Sequence, residues 1–406
     1  MSVLRLFFAS LCISVAAHAA PVFNSTFFGY HFHASSQQTQ ANGMGYGEVR
    51  LWDTYTRWAD LEPQRNVYNF ATLDTLVSRA QSQGQGVILT LGSTPAWASS
   101  RPTEACAYGS GCAAPPANMQ DWTNYVTQVA MRYRGRIQCY EIWNEVSFPT
   151  IYGGGSTTFF SGKPSDLVTL GSLAYRAIKA ADPSACVLSP SFHVTGDWFV
   201  KLQSFLSAGG GSTFDVLSWH LYYSPAWPEQ SAGYIQRLRG ILTTYGVPTK
   251  PIWNSEVGVP FGTLESTMAQ TQTPTNLDYA VLLRTYLINA AFGVSRVYWY
   301  AWDDGMFGMA IPTSYSSQGA KPAFVSVMSF LSGKTVTGCT ETNYLWKCTL
   351  ASATGAPQTV VWADASVGTL SYTVPVTASR VYQVGQLTTM SAGQAITVGY
   401  QPIVIQ

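Results

Sequence analysis

The chain contains two similar stretches, YEIWNE at residues 140–145 and PIWNSE at residues 251–256. In each, a short apolar run leads into Trp-Asn and ends on a glutamate. Short apolar runs bounded by polar residues are typical of buried strands. The pattern therefore predicts two buried strands with a carboxylate at the carboxyl end of each, Glu145 and Glu256.

Working outward from these stretches, short apolar or β-branched runs alternate with segments of helical periodicity. Strands alternating with helices favour parallel β/α units. Eight such units in roughly 300 residues predict a (β/α)8 barrel. A doubly wound sheet is the alternative, but no Gly-rich phosphate loop follows the first strand. The eight predicted strands are 27–33, 48–53, 86–91, 137–145, 185–192, 215–223, 251–257 and 296–303.

The texture of the sequence changes after about residue 331. Helical periodicity ends, and short strand-like runs punctuated by Gly and Pro take over. We expect residues 20–332 to form an α/β TIM barrel and residues 333–406 a small antiparallel β-sandwich. The predicted strands of the second part are 344–350, 359–363, 369–374, 380–384 and 395–405.

Composition and charge restrict the class of protein. Hydrophobic residues make up 47% of the chain and charged residues only 11%, against a usual charged fraction of about 25%. The formal net charge is +1, so we expect neither nucleic acid nor an anionic membrane as partner. A monomer is expected.

The N-terminus and the cysteines indicate an oxidising compartment. Residues 1–19 have the positive charge, apolar run and small-residue cleavage pattern of a secretory signal peptide, which predicts a secreted or periplasmic protein. Six cysteines follow and allow 15 pairings. Short spacing favours Cys106–Cys112 and Cys339–Cys348, which leaves Cys139 with Cys186 at the starts of two predicted neighbouring strands.

Glu145 and Glu256 indicate a reaction when they are placed on the predicted barrel. The active sites of such barrels lie at the carboxyl ends of the strands, and these glutamates end the fourth and seventh predicted strands. Paired carboxylates at one site are the groups that hydrolyse glycosidic bonds, and a separation of about 5–5.5 Å is typical of retention of anomeric configuration. The alternative is a pair of solvated strand ends.

EIWNE (residues 141–145) resembles the acid/base signature of clan A glycoside hydrolases. WADLEP (58–63) and LGSTPAW (91–97) resemble loops of the same clan, and the closest likeness is to bacterial family 39-like endoglycosidases. The resemblance covers most of residues 27–330. It implies Glu145 as acid/base, Asn144 as ligand of the sugar 2-hydroxyl and Glu256 as nucleophile.

The resemblance also implies supporting residues. Arg50 would contact the nucleophile, lowering its pKa, although a structural ion pair remains an alternative. His220 and Tyr222 would share a strand face, with the tyrosine holding the nucleophile, although a core histidine remains an alternative. Trp302, favoured over Trp299, would form the floor of the site. Two further substrate-binding candidates in the loops are Trp97 and Trp227.

These expectations together predict a secreted retaining glycoside hydrolase that needs no cofactor and no metal and acts on a β-linked polysaccharide or oligosaccharide. Three long loops favour endo cleavage of a cell-wall glycan or exopolysaccharide. An exo-acting β-glycosidase such as a β-xylosidase is the alternative within the class. A non-catalytic carbohydrate-binding protein and a surface adhesin are alternatives outside it.

Overall fold

A computed structural model describes most of the chain after its N-terminus. The predicted signal peptide lies outside the described residues, as does Trp227. The described residues are 20–34, 38, 44–149, 159–193, 198–223, 228–260, 274–304, 320–353, 355–375, 381–383, 386–388 and 390–406.

Parallel strands form a sheet that curls into a barrel, which confirms the predicted fold. Its spatial order is β7-β6-β3-β2-β1-β11-β10-β9-β8, and a parallel bridge between Leu188 and Val216 links the two ends. A two-stranded hairpin, β4 and β5, lies in the loop after β3. The strands are β1 Phe28–Tyr30, β2 Glu48–Leu51, β3 Gly86–Leu91, β4 Ala105–Cys106, β5 Gly109–Ser110, β6 Cys139–Ile142, β7 Cys186–Leu188, β8 Phe192–His193, β9 Leu217–His220, β10 Ile252–Val257 and β11 Val294–Trp299.

The fifth barrel strand is divided, so nine strands fill eight places. The prediction had one strand over residues 185–192, whereas the structure has β7 and β8 with Ser189, Pro190 and Ser191 between them. Proline has no N–H to donate to a neighbouring strand. The Ser189 hydroxyl instead accepts the Ser218 N–H at 2.9 Å, so a side chain replaces a backbone partner at the break.

Eight helices are present in the described part of the chain, and they cover the outside of the barrel. Every residue of β6 and β10 is buried, as expected for strands packed on both faces. The helices are α1 Trp58–Leu61, α2 Ala71–Ser82, α3 Met119–Arg132, α4 Pro164–Ala181, α5 Trp198–Ser207, α6 Gln230–Thr244, α7 Pro274–Ala291 and α8 Ala320–Leu331.

The C-terminal part consists of antiparallel sheets, as predicted. One has six strands in the order β12-β13-β14-β19-β16-β17, and the other pairs β15 with β18. A small apolar cluster that includes Val361, Ile396 and Val398 packs between them. The first strand, β12, was not predicted. These strands are β12 Lys334–Thr342, β13 Leu345–Ser352, β14 Gln358–Ala363, β15 Leu370–Thr373, β16 Val381–Gln383, β17 Gln386–Thr388, β18 Ala395–Val398 and β19 Ile403–Ile405.

A buried polar link joins the barrel to the C-terminal sheets. Arg284 on α7 is fully buried and donates to both carboxylate oxygens of Glu229, at 2.6 and 2.7 Å. The indole of Trp362, on β14, donates to the same carboxylate at 2.7 Å. The guanidinium also lies 4.0 Å above the ring of Tyr400. C-terminal residues therefore pack on a charge pair of the barrel, and the two parts share one continuous apolar core.

Three disulfides join the predicted pairs Cys106–Cys112, Cys139–Cys186 and Cys339–Cys348. The second staples the paired starts of β6 and β7. Within the described residues, no helix combines the length and apolar character needed to cross a membrane.

Candidate active site

A fully buried arginine organises the carboxyl end of the barrel. Arg50, on β2, donates to Glu141 through Nε at 2.8 Å and also through Nη2. Its Nη1 donates to Glu256 at 3.0 Å, and its Nη2 also donates to the Asn144 side-chain oxygen at 2.8 Å. One guanidinium therefore fixes two glutamates and an asparagine from two different strands and the turn after β6.

Glu141 is a buried carboxylate to which the sequence interpretation gave no role. Besides Arg50, the Thr90 hydroxyl donates to it at 2.7 Å, and the Ser218 hydroxyl also donates to it. Burial alone would raise the pKa of Glu141, but the arginine and the hydroxyl donors outweigh burial and lower it. Glu141 is therefore the ionised anchor of the arginine.

Glu145 lies in the turn after β6 rather than in the strand, which ends at Ile142. Glu145 and Trp143 both have left-handed backbone conformations, with φ of 42° and 72° respectively. The Glu145 N–H donates to the Ser191 hydroxyl at 2.9 Å, and Ser191 also accepts the Val146 N–H at 3.1 Å. The break between β7 and β8 thus supplies the residue that holds this strained turn.

The two glutamates meet across the barrel mouth. Oxygens of Glu145 and Glu256 and a ring nitrogen of His220 all lie within 4.8 Å of one another. His220 Nδ1 is 2.9 Å from Glu145 Oε1 and 3.5 Å from Glu256 Oε2. The Tyr222 hydroxyl donates to Glu256 Oε1 at 2.6 Å. Glu256 accepts hydrogen bonds from two side chains, Arg50 and Tyr222. Among the described residues, the partner of the Glu145 carboxylate is instead His220.

Burial raises the pKa of both glutamates. The charges of Asp53 and Glu141 raise the pKa of Glu145 further, and the charge of Glu145 raises that of Glu256. The Arg50 cation acts on Glu256 in the direction that the sequence predicts, but burial outweighs it. The hydrogen bonds that Glu256 accepts from Arg50 and Tyr222 favour its ionised form. Burial also lowers the pKa of His220 to about 4, so its ring is neutral at pH 7.

A pocket of about 440 Å³ opens above these groups, within the size range of small-ligand sites. Both glutamates and the Asn144 side chain line it. The Asn144 side-chain oxygen accepts from Arg50, so the two N–H groups of its amide are the donors that this side chain can offer to a ligand. The described lining residues are Trp52, Asp53, Tyr108, Asn144, Glu145, Phe159, His193, Tyr222, Tyr223, Glu256, Gly258, Pro260 and Tyr300.

Two of the predicted substrate-binding tryptophans are not brought to the described pocket. Trp302 is 1% exposed and packs in the core, and its backbone N–H donates to the His31 carbonyl at 2.8 Å. The half-buried Trp97 donates from its indole to the Glu62 carbonyl at 3.0 Å. Tyr300 lines the pocket, whereas Trp302 was expected to form its floor. The strand ends at Trp299, so alternation along it does not extend to Trp302.

The sequence interpretation also missed Asp53 and Tyr108 as pocket residues. Asp53 follows β2, and its carboxylate accepts the Tyr108 hydroxyl at 2.8 Å and the Tyr300 hydroxyl at 3.3 Å. Tyr108 comes from the β4–β5 hairpin, whose position no strand periodicity reveals. A polar residue at the carboxyl end of a predicted barrel strand, 48–53, was the available signal for Asp53.

Glu145, His220 and Glu256 are spaced as a set of metal ligands could be. Their contacts suit another task, however. Arg50 and Tyr222 occupy the two oxygens of Glu256, and His220 Nδ1 faces Glu145. A divalent cation would have to displace these donors beside a fixed guanidinium. The donor set therefore fits an acid–carboxylate pair better than a metal centre.

A buried pair of carboxylates, fixed at the carboxyl ends of opposite barrel strands, defines the kind of site found in barrel glycosidases. A family model described as a β-galactosidase of glycoside hydrolase family 42 matches residues 30–147. That segment includes Arg50, Asn144 and Glu145.

Solved structures of glycoside hydrolases share the fold. A family 39 glycoside hydrolase from Bacteroides cellulosilyticus WH2 matches with TM-score 0.68 and 17% identity, over 94% of this chain and 81% of that one. A monomeric β-xylosidase from Caulobacter crescentus CB15 matches with TM-score 0.63 and 15% identity, over 95% and 97%. The catalytic domain of a family 30 xylanase from Talaromyces cellulolyticus gives 0.58 and 15%, over 93% and 95%. The resemblance to clan A glycoside hydrolases that the sequence predicts is confirmed.

Proposed function

We propose that the protein is a secreted retaining glycoside hydrolase that cleaves β-glycosidic bonds within a polysaccharide. One observation carries the proposal: Glu145 and Glu256 approach within 4.8 Å but have different partners. That spacing is suited to direct attack by a carboxylate rather than to a water held between two carboxylates. Residues 20–332 would form the catalytic domain and 333–406 a β-sandwich domain.

The unequal partners assign different roles to the two glutamates. Glu256, with donors from Arg50 and Tyr222, is the nucleophile. Glu145, which takes the first proton of the pair, is the general acid. In the first step Glu256 attacks the anomeric carbon while Glu145 gives its proton to the departing glycosidic oxygen, and a glycosyl ester forms.

The second step regenerates the enzyme. Glu145, now a carboxylate, takes a proton from water, whose oxygen attacks the anomeric carbon while Glu256 leaves. Because Glu256 is uncharged in the ester, its repulsion of Glu145 is relieved at the point where a base is needed. Asn144 would donate from its amide to the sugar 2-hydroxyl, with its oxygen fixed by Arg50.

Localisation and assembly are part of the proposal. Three disulfides favour an extracytoplasmic protein, in agreement with the predicted signal peptide. A monomer is proposed, in line with the structural neighbour that is described as monomeric.

The test is a screen of wild-type protein on β-linked glycans, with product size and anomeric configuration followed by NMR. We expect oligosaccharide products of retained configuration. Glu256→Ala should abolish cleavage, and Glu145→Ala should cleave glycans slowly. On an activated aryl glycoside, azide should accelerate Glu145→Ala and give a glycosyl azide, because azide attacks the glycosyl ester in place of water and needs no base. Glu341→Ala, at an exposed position of the C-terminal part, is the matched control and should retain full activity.

Three results would contradict the proposal or part of it. Equal sugar release by the wild type and Glu256→Ala would contradict the proposed enzymatic function. Inverted products would exclude the double displacement. Single sugars released from chain ends, without intermediate sizes, would replace endo by exo action.

A further inference from the structure

The pocket walls carry an imbalance of charge. Asp53, Glu145 and Glu256 line the pocket, and no lysine or arginine does so among the described lining residues. Arg50 lies below the surface and is fully buried on Glu141, Glu256 and Asn144. The one arginine in this region is therefore already paired with Glu141 and Glu256, and no cation on the described pocket lining offsets Asp53.

The undescribed segments between residues 35 and 319 contain no lysine and no arginine, and their acids are Asp197 and Glu265. Arg380 lies in an undescribed segment of the C-terminal part. The Arg57 guanidinium lies 4.0 Å from the ring centre of Tyr108, which lines the pocket. It is paired with Asp60 at 3.0 Å. An anionic group on a bound sugar would thus meet carboxylates without a free cation.

Asp53 is held as an acceptor by a chain of hydrogen bonds. Asp303 accepts the His33 N–H at 2.8 Å, and one of its oxygens lies 3.1 Å from His33 Nδ1. This contact raises the pKa of His33. When His33 is protonated, its Nε2 donates to the Tyr300 oxygen at 2.9 Å, and the Tyr300 hydroxyl donates to Asp53 at 3.3 Å.

The Asp53 carboxylate keeps acceptor capacity for a ligand. Tyr108 and Tyr300 give it one hydrogen bond on each oxygen, and an ionised carboxylate has about four acceptor positions. The charge of Asp53 also adds to burial in raising the pKa of Glu145, so it acts within the catalytic space. It can accept a sugar hydroxyl or an ammonium group and repels a carboxylate.

We infer that the pocket selects neutral or amino sugars against uronic acids, and that Asp53 is the residue that sets this preference. The inference rests on the proposed function, since it concerns the sugar unit held beside Glu145 and Glu256. Asp53 is a specificity-determining residue here, separate from the proton and nucleophile chemistry.

The first experiment compares three groups of glycans with wild-type protein. They are neutral polymers (xylan, β-glucan, galactomannan), an amino polymer (chitosan) and polyuronates (alginate, β-glucuronan). We expect cleavage within the first two groups only. Cleavage of a polyuronate at a rate equal to that of the best neutral polymer overturns the inference but leaves the proposed function intact. Cleavage of none overturns the proposed function and the inference with it.

The second experiment tests Asp53 on the sugar type found in the first. Inhibition constants are measured for its methyl glycoside and for the matching 6-carboxylate, with wild type and Asp53→Asn. We expect the variant to bind the neutral ligand about 10- to 100-fold more weakly. Its preference for the neutral over the anionic ligand, taken as the ratio of the two inhibition constants, should fall by at least about tenfold. Asp74→Asn removes another aspartate that accepts a tyrosine hydroxyl, from Tyr133 at 2.9 Å, and should not change the ratio.

Two outcomes exclude the role of Asp53. One is a variant that weakens both ligands equally, which indicates a merely structural side chain. The other is an unchanged ratio with unchanged affinities. Circular dichroism and a thermal unfolding curve for each variant show whether it is folded when the constants are measured.

Discussion

The hydrogen bond from Tyr222 to Glu256 gives the sharpest prediction. Tyr222→Phe removes one hydroxyl that donates to Oε1 at 2.6 Å and leaves the ring shape unchanged. A hydrogen bond to a charged group contributes about 1.5–3 kcal/mol. Because a pKa unit corresponds to about 1.36 kcal/mol, the acid limb of kcat/KM should move up by about 1–2 pH units.

The same bond should act on turnover. When the glycosyl ester breaks, Glu256 leaves as a carboxylate, so its hydroxyl donor stabilises the leaving group in that step. If the full 1.5–3 kcal/mol is realised in the transition state, kcat at the pH optimum falls by about 10- to 150-fold. The assay is a pH–rate profile from pH 4 to pH 9 on a glycan or aryl glycoside that the wild type cleaves.

A matched control lies at another carboxylate. The Tyr175 hydroxyl donates to Asp215 at 3.0 Å, away from the described pocket. Tyr175→Phe should lose about 1 kcal/mol of unfolding free energy and keep the wild-type profile. An acid limb of Tyr222→Phe that coincides with that of the wild type would refute the reasoning, because Glu256 would then not depend on this donor for its charge.

Three further predictions concern stability. The pKa of Glu141 is lowered in the folded state, so the ionised carboxylate stabilises the fold fully above its unfolded pKa, and this stability is lost as pH falls through its folded pKa. Glu141→Gln should therefore make the unfolding free energy, measured with urea, fall less steeply as pH is lowered. An unchanged slope would contradict this. Replacing Cys139 and Cys186 by Ala removes a crosslink of sequence separation 47 and should lower the free energy of unfolding, measured with guanidinium, by about 4 kcal/mol. An unchanged free energy of unfolding would contradict this. Arg284→Met leaves Glu229 buried without its cation and should cost about 3–5 kcal/mol; adding Glu229→Gln should recover part of it, and a fully additive double variant would count against the pair.

The barrel and the meeting of Glu145 with Glu256 were predictable because they follow from short-range patterns. Strand runs recur along the chain, and carboxyl ends of parallel strands converge at one end of a barrel. Arg50 and Tyr222 followed from the family resemblance, which places such residues on the second and sixth strands. The disulfide pairs followed from spacing and from the neighbouring strands of Cys139 and Cys186.

The rest of the pocket depends on backbone paths that no periodicity records. The choice of Trp302 over Trp299 assumed a last barrel strand over residues 296–303, whereas the structure ends that strand at Trp299. The division of the fifth strand required knowing that the Ser189 hydroxyl replaces a backbone partner beside Pro190. The contact of Tyr108 with the pocket depends on how a long loop folds back over the barrel, and that is a tertiary property.

The buried link from Arg284 through Glu229 to Trp362 has a consequence for how the chain could have been assembled or could be re-engineered. Carbohydrate-active proteins are commonly treated as modules that can be exchanged. Here a truncation at residue 332 would leave a charge pair and part of the apolar core open to water. Glu229 also directly precedes α6, on the segment that leaves β9 and Tyr222 at the barrel mouth. The C-terminal sheets therefore complete the packing around Arg284 and Glu229, and exchanging them like a separate binding module would uncover this charge pair.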